Sequence, residues 1–143
     1  MNAPILAPAA ALVAWSLIVL YWVILTRFPA LKNAKLDLAN SEPGGRYQDL
    51  EPTLPAKVNW KSHNYTHLME QPTLFYATVV ILALAGEGTG SNVTLAWAYV
   101  GLRVAHSLWQ GLVNIIPVRI GLFAASSLCL TVLAINAVRA TIL

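Results

Sequence analysis

The chain has 143 residues, of which 57% are hydrophobic and only 10% charged. Ordinary globular domains carry about 25% charged residues, and a mean hydropathy of +0.62 excludes a disordered chain, a coiled coil and a water-soluble globule. The net charge of +3 includes no basic tract suited to nucleic acid. The single cysteine, Cys129, leaves no disulfide framework or thiolate zinc site within one chain. A small multi-pass membrane protein remains.

A helix that crosses the hydrocarbon needs ~20 mostly apolar residues. Residues 1–26 carry no charge, and 5–26 are long enough to span. No Lys or Arg precedes this stretch and its apolar run is long, which argues against a cleaved signal peptide. Residues 27–62 are rich in Pro, Gly, Asn and charge and read as a loop. A second span is predicted over 63–85, a tight turn at Gly86–Ser91, and a third span over 92–115. Ile116 and Pro117 mark a break, and a fourth span runs over 118–140. Short connections favour antiparallel neighbours. The expectation is an all-α integral membrane protein: one membrane domain over 1–143, with four transmembrane helices in an up-down bundle. Arg27, Lys32, Lys35, Arg46, Lys57 and Lys61 all fall in the 27–62 loop. The excess of Lys and Arg places that loop in the cytoplasm and both termini on the opposite side.

Ionisable residues inside a span are costly and face protein or water rather than lipid. Tyr99, Arg103, His106, Ser107, Gln110 and Asn114 fall on one stripe at about 100° per residue. On the second span His63, His67, Glu70 and Leu74 stack at helical spacing, and Pro72 predicts a local bend. With the predicted directions, His63, His67, Glu70, Arg103, His106, Gln110 and Arg119 meet at the cytoplasmic end in a net cationic pocket. Each has a plainer reading. Glu70 and Arg103 could pair structurally, and Ser107, Gln110 and Asn114 could join helices by hydrogen bonds.

The cationic excess suits an anionic ligand, because Arg grips carboxylates and phosphates through parallel hydrogen bonds. Arg also favours a thiolate over a thiol, and Glu70 suits an ammonium group. A molecule with two carboxylates, an amine and a thiol fits that set, and glutathione is one such molecule. A second, lipophilic substrate could arrive through the bilayer. Two other functions fit less of the pattern. One is a non-catalytic lipid-binding or scaffold protein. The other is a metal or haem protein using His63, His67, Glu70 and His106, which the nearby arginines oppose.

Arg103–Ser107 (RVAHS), followed by Pro117-Val118-Arg119, resembles the third- and fourth-span signature of the MAPEG family, the membrane-associated proteins of eicosanoid and glutathione metabolism. The segment around Glu70 is similar too, as is the loop run at 38–43, Leu-Ala-Asn-Ser-Glu-Pro. The resemblance implies a homotrimer that binds glutathione between subunits near the cytoplasmic face. It implies that Glu70, Arg103 and His106 contact glutathione and that Arg119 activates its thiolate. His67 stands where the family usually has Asn, His63 where it often has Arg, and Gln110 where the synthases carry Tyr. The activity implied is a glutathione-dependent transferase or peroxidase acting on lipophilic electrophiles.

Overall fold

A computed structural model describes residues 3–41 and 43–142, so Glu42 of the loop run at 38–43 lies outside the described residues. Five α-helices follow one another: α1 (Leu6–Asn33), α2 (Ala56–Met69), α3 (Gln71–Leu84), α4 (Ser91–Leu112) and α5 (Ile116–Ile142). Two short 3-10 segments, Leu38–Asn40 and Tyr47–Thr53, lie between α1 and α2. No strand occurs among the described residues.

The helices outrun the expected boundaries around the first loop. The charge pattern predicts a first span that stops before Arg27 and a second that starts at His63, yet α1 continues to Asn33 and α2 starts at Ala56. The reason is side-chain reach. Arg27 donates from Nη1 to Ser62 Oγ and from Nη2 to the Tyr47 carbonyl, both at 2.8 Å. Lys61 Nζ lies 5.3 Å from the centre of the Trp22 ring and donates to the Lys57 carbonyl at 2.6 Å. Long basic side chains satisfy themselves along the helix surface, so the apolar run stops while the helix goes on.

Helix ends follow local chemistry. α3 closes in a Schellman arrangement: Gly86, at φ +80°, donates to the Ala83 carbonyl, and Glu87 donates to the Leu82 carbonyl. α4 ends three residues earlier than expected, at Leu112. Asn114 adopts φ +61° and its N–H reaches the Trp109 carbonyl at 2.7 Å. The predicted bend in the second span is a full interruption. Glu70, at φ −86° and ψ −96°, separates α2 from α3, and Pro72 occupies the first turn of α3. Pro72 has no N–H to offer the Leu68 carbonyl, and its ring disfavours helical geometry just before it.

α4 packs against α1, α2 and α5, while α3 packs against α1 and α5. The α2–α3 rod and α4 therefore form the inner pair, flanked by α1 and α5. α1 and its N-cap residue contribute a narrow seam at seven-residue spacing, Ile5, Leu12 and Val19, all fully buried. The same buried cluster includes Phe75, Val79 and Leu82 of α3, Tyr99 of α4 and Leu133 of α5. Phe75 and Tyr99 stack with ring centres 4.3 Å apart and clamp α3 to α4. Three helical rods are long and apolar enough to cross a membrane: α1, the α2–α3 rod and α5. Within α1 and α5 only 17% of the apolar window is buried, so most of their Leu, Ile and Val side chains face outward, as lipid contact requires. α4 is about 33 Å long, enough to span, but its inward stripe makes it less apolar than the other three.

Candidate functional site

The stripe predicted on α4 is real from Tyr99 to Gln110. Tyr99, Arg103, His106, Ser107 and Gln110 are all buried, whereas Trp97, Leu108 and Leu112 on the far side are exposed. Asn114 leaves the stripe because the helix has already ended. Trp15 of α1 donates from Nε1 to Ser107 Oγ at 3.0 Å, fixing one side of the stripe. On the other side Arg103 donates from Nε to the Tyr99 hydroxyl at 3.2 Å, and Tyr99 donates to Gln71 Oε1 at 3.4 Å. Gln71 in turn donates to Ser127 Oγ at 2.7 Å. A polar relay thus runs from α4 through α3 to α5.

The guanidinium of Arg103 lies between rings, 5.8 Å from the centre of Tyr99 and 5.4 Å from that of Phe123. It does not pair with Glu70. The Glu70 carboxylate is largely exposed and sits 3.3 Å from His67 Nδ1. The interruption of the rod at Glu70 causes this: with the helix broken, the carboxylate leaves the face that an unbroken helix would have given it. The stripe expected through His63, His67, Glu70 and Leu74 is therefore divided. His63 lies within 2.9 Å of Glu51 Oε1 in the loop, and Leu74 is exposed on the outer surface.

His67, His106 and Arg119 do converge. With Ile120 and Phe123 they line a cavity of about 180 Å³. The rings of His67 and His106 meet edge to face with centres 5.9 Å apart, and His106 lies 6.4 Å from Phe123. Arg119 is held by Asn114, which accepts from Nη1 at 2.6 Å. The left-handed residue that ends α4 thus also positions the arginine that opens α5. Gln110 is buried one helical turn beyond His106, and its Oε1 has no hydrogen-bond partner. The same holds for Arg103 Nη2 and for both amide atoms of Asn64 on α2. Asn59 Oδ1 on α2 is unpaired as well; buried polar atoms are almost always paired, so five unpaired ones on α2 and α4 mark a region built for more than packing.

Phe123 and Asn114 complete the site without having been singled out for it. Phe123 follows Arg119 by one helical turn, which was a usable signal. Asn114 stood on the α4 stripe, but its service to Arg119 depends on a backbone conformation that spacing does not reveal. Among the described residues no three His, Cys, Asp or Glu side chains come together as a metal set.

A bundle of lipid-facing helices, with a ring-lined cleft that carries two histidines and an arginine and opens at the surface beside Ile120 and Phe123, defines an integral membrane protein with polar groups gathered at one end. The chain belongs to the MAPEG family, whose model matches residues 5–139 of its 143. No curated protein and no solved structure was found to match it.

Proposed function

We propose that the protein is a membrane-embedded, glutathione-dependent transferase or peroxidase acting on lipophilic electrophiles. The observation that carries this reading is the meeting of His67, His106 and Arg119 around one cavity, with Arg103 stacked on its Phe123 wall and no carboxylate lining it. Glu70 meets only His67, from outside the lining, so Arg119 and Arg103 leave an excess of positive charge that suits an anionic ligand. Membership of the MAPEG family supports the same choice.

In this reading Arg119 favours the thiolate, which is the nucleophilic form of the sulfur. Asn114 is a positioning residue for Arg119. Arg103 and Gln110 offer unpaired polar atoms to the peptide, and His106 and His67 flank it. The cavity of about 180 Å³ is below the roughly 300–1,000 Å³ of pockets that enclose drug-sized ligands. It therefore takes the thiol end, and the carboxylates and amine lie outward toward Glu70 and His63. Four spans complete the picture, with α4 as the least apolar, the loop at 34–55 in the cytoplasm and the termini opposite. The proposed assembly is a homotrimer.

Calorimetry on detergent-purified protein tests binding. Heat of binding with millimolar glutathione, lost in Arg103→Met, is expected; no heat and no thermal shift overturn the reading. His67, His63 and Gln110, where the family carries Asn, Arg and Tyr, favour a second reading: a non-catalytic lipid-binding protein of the same fold. It predicts no conjugation of a model aryl halide. Turnover that disappears in Arg119→Gln excludes it.

A further inference from the structure

The hydrogen bonds that lead away from Arg103 all point one way. Arg103 Nε donates to the Tyr99 hydroxyl at 3.2 Å, and that hydroxyl donates to Gln71 Oε1 at 3.4 Å, the longest link. Gln71 Nε2 donates to Ser127 Oγ at 2.7 Å, and Ser127 donates to the Phe123 carbonyl at 2.8 Å. The chain crosses from α4 to α3 to α5. It ends on the residue whose ring lies 5.4 Å from the guanidinium, so the circuit starts and finishes at Arg103.

The Phe123 carbonyl sets that direction. A backbone carbonyl only accepts, so Ser127 gives it the hydroxyl proton and offers Gln71 a lone pair. An amide turned over has nearly the same shape, but Ser127 accepts only the Nε2 end, which leaves Oε1 to face Tyr99. Oε1 takes the Tyr99 proton, and Tyr99 keeps a lone pair for Arg103 Nε. Without Gln71 the hydroxyl is free to rotate its proton toward a guanidinium that has no acceptor.

Two constraints therefore act on one side chain. The bond from Nε fixes the direction of the guanidinium, and the rings of Tyr99 and Phe123, 5.8 and 5.4 Å from it, limit the tilt of its plane. Tyr99 is itself held by stacking on Phe75. Arg103 and Tyr99 are both buried, so bulk water does not compete for these bonds. The arrangement leaves Nη2 over, buried and unpaired. A charged donor held in one place is a preorganised contact for an anionic group.

We propose that Gln71, acting with Tyr99 and Ser127, is a positioning residue that holds Arg103 Nη2 ready for an anionic group of the bound peptide. The ligand half of this rests on the glutathione reading above, and the positioning half does not. In this role none of the three touches the ligand; they act through Arg103.

Two measurements on detergent-purified full-length protein test it. The first is the proton resonance of Arg103 Nε–H, identified by its loss in Arg103→Met. It should exchange slowly with water in wild type and faster in Gln71→Leu and in the milder Ser127→Ala. Ser127→Thr should keep the slow exchange, because a helical Thr still donates to the carbonyl one turn back, as Thr26 and Thr131 do in this chain. The second is calorimetry with glutathione. Gln71→Leu and Tyr99→Phe should each weaken binding roughly tenfold, the scale of one hydrogen bond to a charged group. The double variant should bind no worse than the weaker single one, since both interrupt the same chain. A purely packing role would lower the unfolding midpoint and leave Nε–H exchange where it was. Unchanged exchange in Gln71→Leu and Ser127→Ala overturns the proposal, as do losses that multiply in the double variant. Wild-type protein that binds no glutathione sinks the functional reading, and Nε–H exchange then decides the positioning role alone. Wild-type affinity retained in Gln71→Leu sinks the positioning role and leaves the functional reading standing.

Discussion

Replacing Arg103 by Met separates a ligand-binding charge from a structural one. Arg103 is 1% exposed, so its guanidinium is almost wholly removed from solvent. What it receives in return is modest. One charge-assisted hydrogen bond to Tyr99 contributes about 1.5–3 kcal/mol, and its two ring contacts about 0.5–2 kcal/mol each. Against this stands a desolvation cost of several kcal/mol for a buried ion, with Nη2 unpaired. Met also fills most of the same volume and adds about 1.5–3 kcal/mol of apolar burial. The ligand-free protein should therefore gain about 1–3 kcal/mol. For a chain of this size that is a rise of roughly 3–10 °C in the unfolding midpoint. Intrinsic tryptophan fluorescence during heating in detergent reads it directly. Adding glutathione should raise the midpoint of the wild type and leave that of Arg103→Met unmoved. A ligand-free variant several degrees less stable than wild type would refute the reasoning, since the charge would then be holding the helices together.

Four further outcomes follow from particular contacts. In Gly111→Ala the new Cβ would meet the Trp22 ring at 2.9 Å. Overpacking of about 1–3 kcal/mol should outweigh the helix-propensity gain of ~1 kcal/mol, giving a net loss in chemical unfolding that the smaller ring of Trp22→Phe relieves. Asn114→Gly keeps the left-handed backbone but releases Arg119. The glutathione thiol bound to it should have a higher pKa than in wild type, read from thiolate absorbance against pH, while stability changes by less than ~1 kcal/mol. His63→Gln breaks only the contact with Glu51, so stability should change by at most about 1 kcal/mol, as for an exposed pair, in urea unfolding. Asp37 accepts hydrogen bonds from Asn40 that hold its carboxyl below the usual range. Its stabilising contribution is present above the unfolded value and is lost as pH falls through the lowered folded one. An NMR titration should show the carboxyl returning toward 3.8 in Asn40→Ala.

The α4 stripe was legible in the sequence because burial on a helix is periodic, and Tyr99, Arg103, His106, Ser107 and Gln110 obey one period. A bend near Pro72 was legible too, since a missing N–H is a local fact, but the full interruption at Glu70 was not. Helix limits around the first loop were not. Arg27 and Lys61 signal solvent in the sequence, yet both find partners along the helix surface through Ser62, Tyr47 and Trp22. The linear chain also made Glu70 and Arg103 natural partners.

Composition and periodicity by themselves determined that this is a lipid-facing helical chain, which face of α4 turns inward, and that the chain carries an excess of basic residues to place there. Those properties depend on side-chain chemistry and spacing alone. Tertiary structure decided which charges meet. It turned Glu70 outward to His67, drew His63 to Glu51, and set Arg103 between two rings. It set Phe123 along one wall of a small open cleft. Such pairings depend on backbone angles at Glu70 and Asn114 and on distances between separate rods, and a one-dimensional pattern does not encode either.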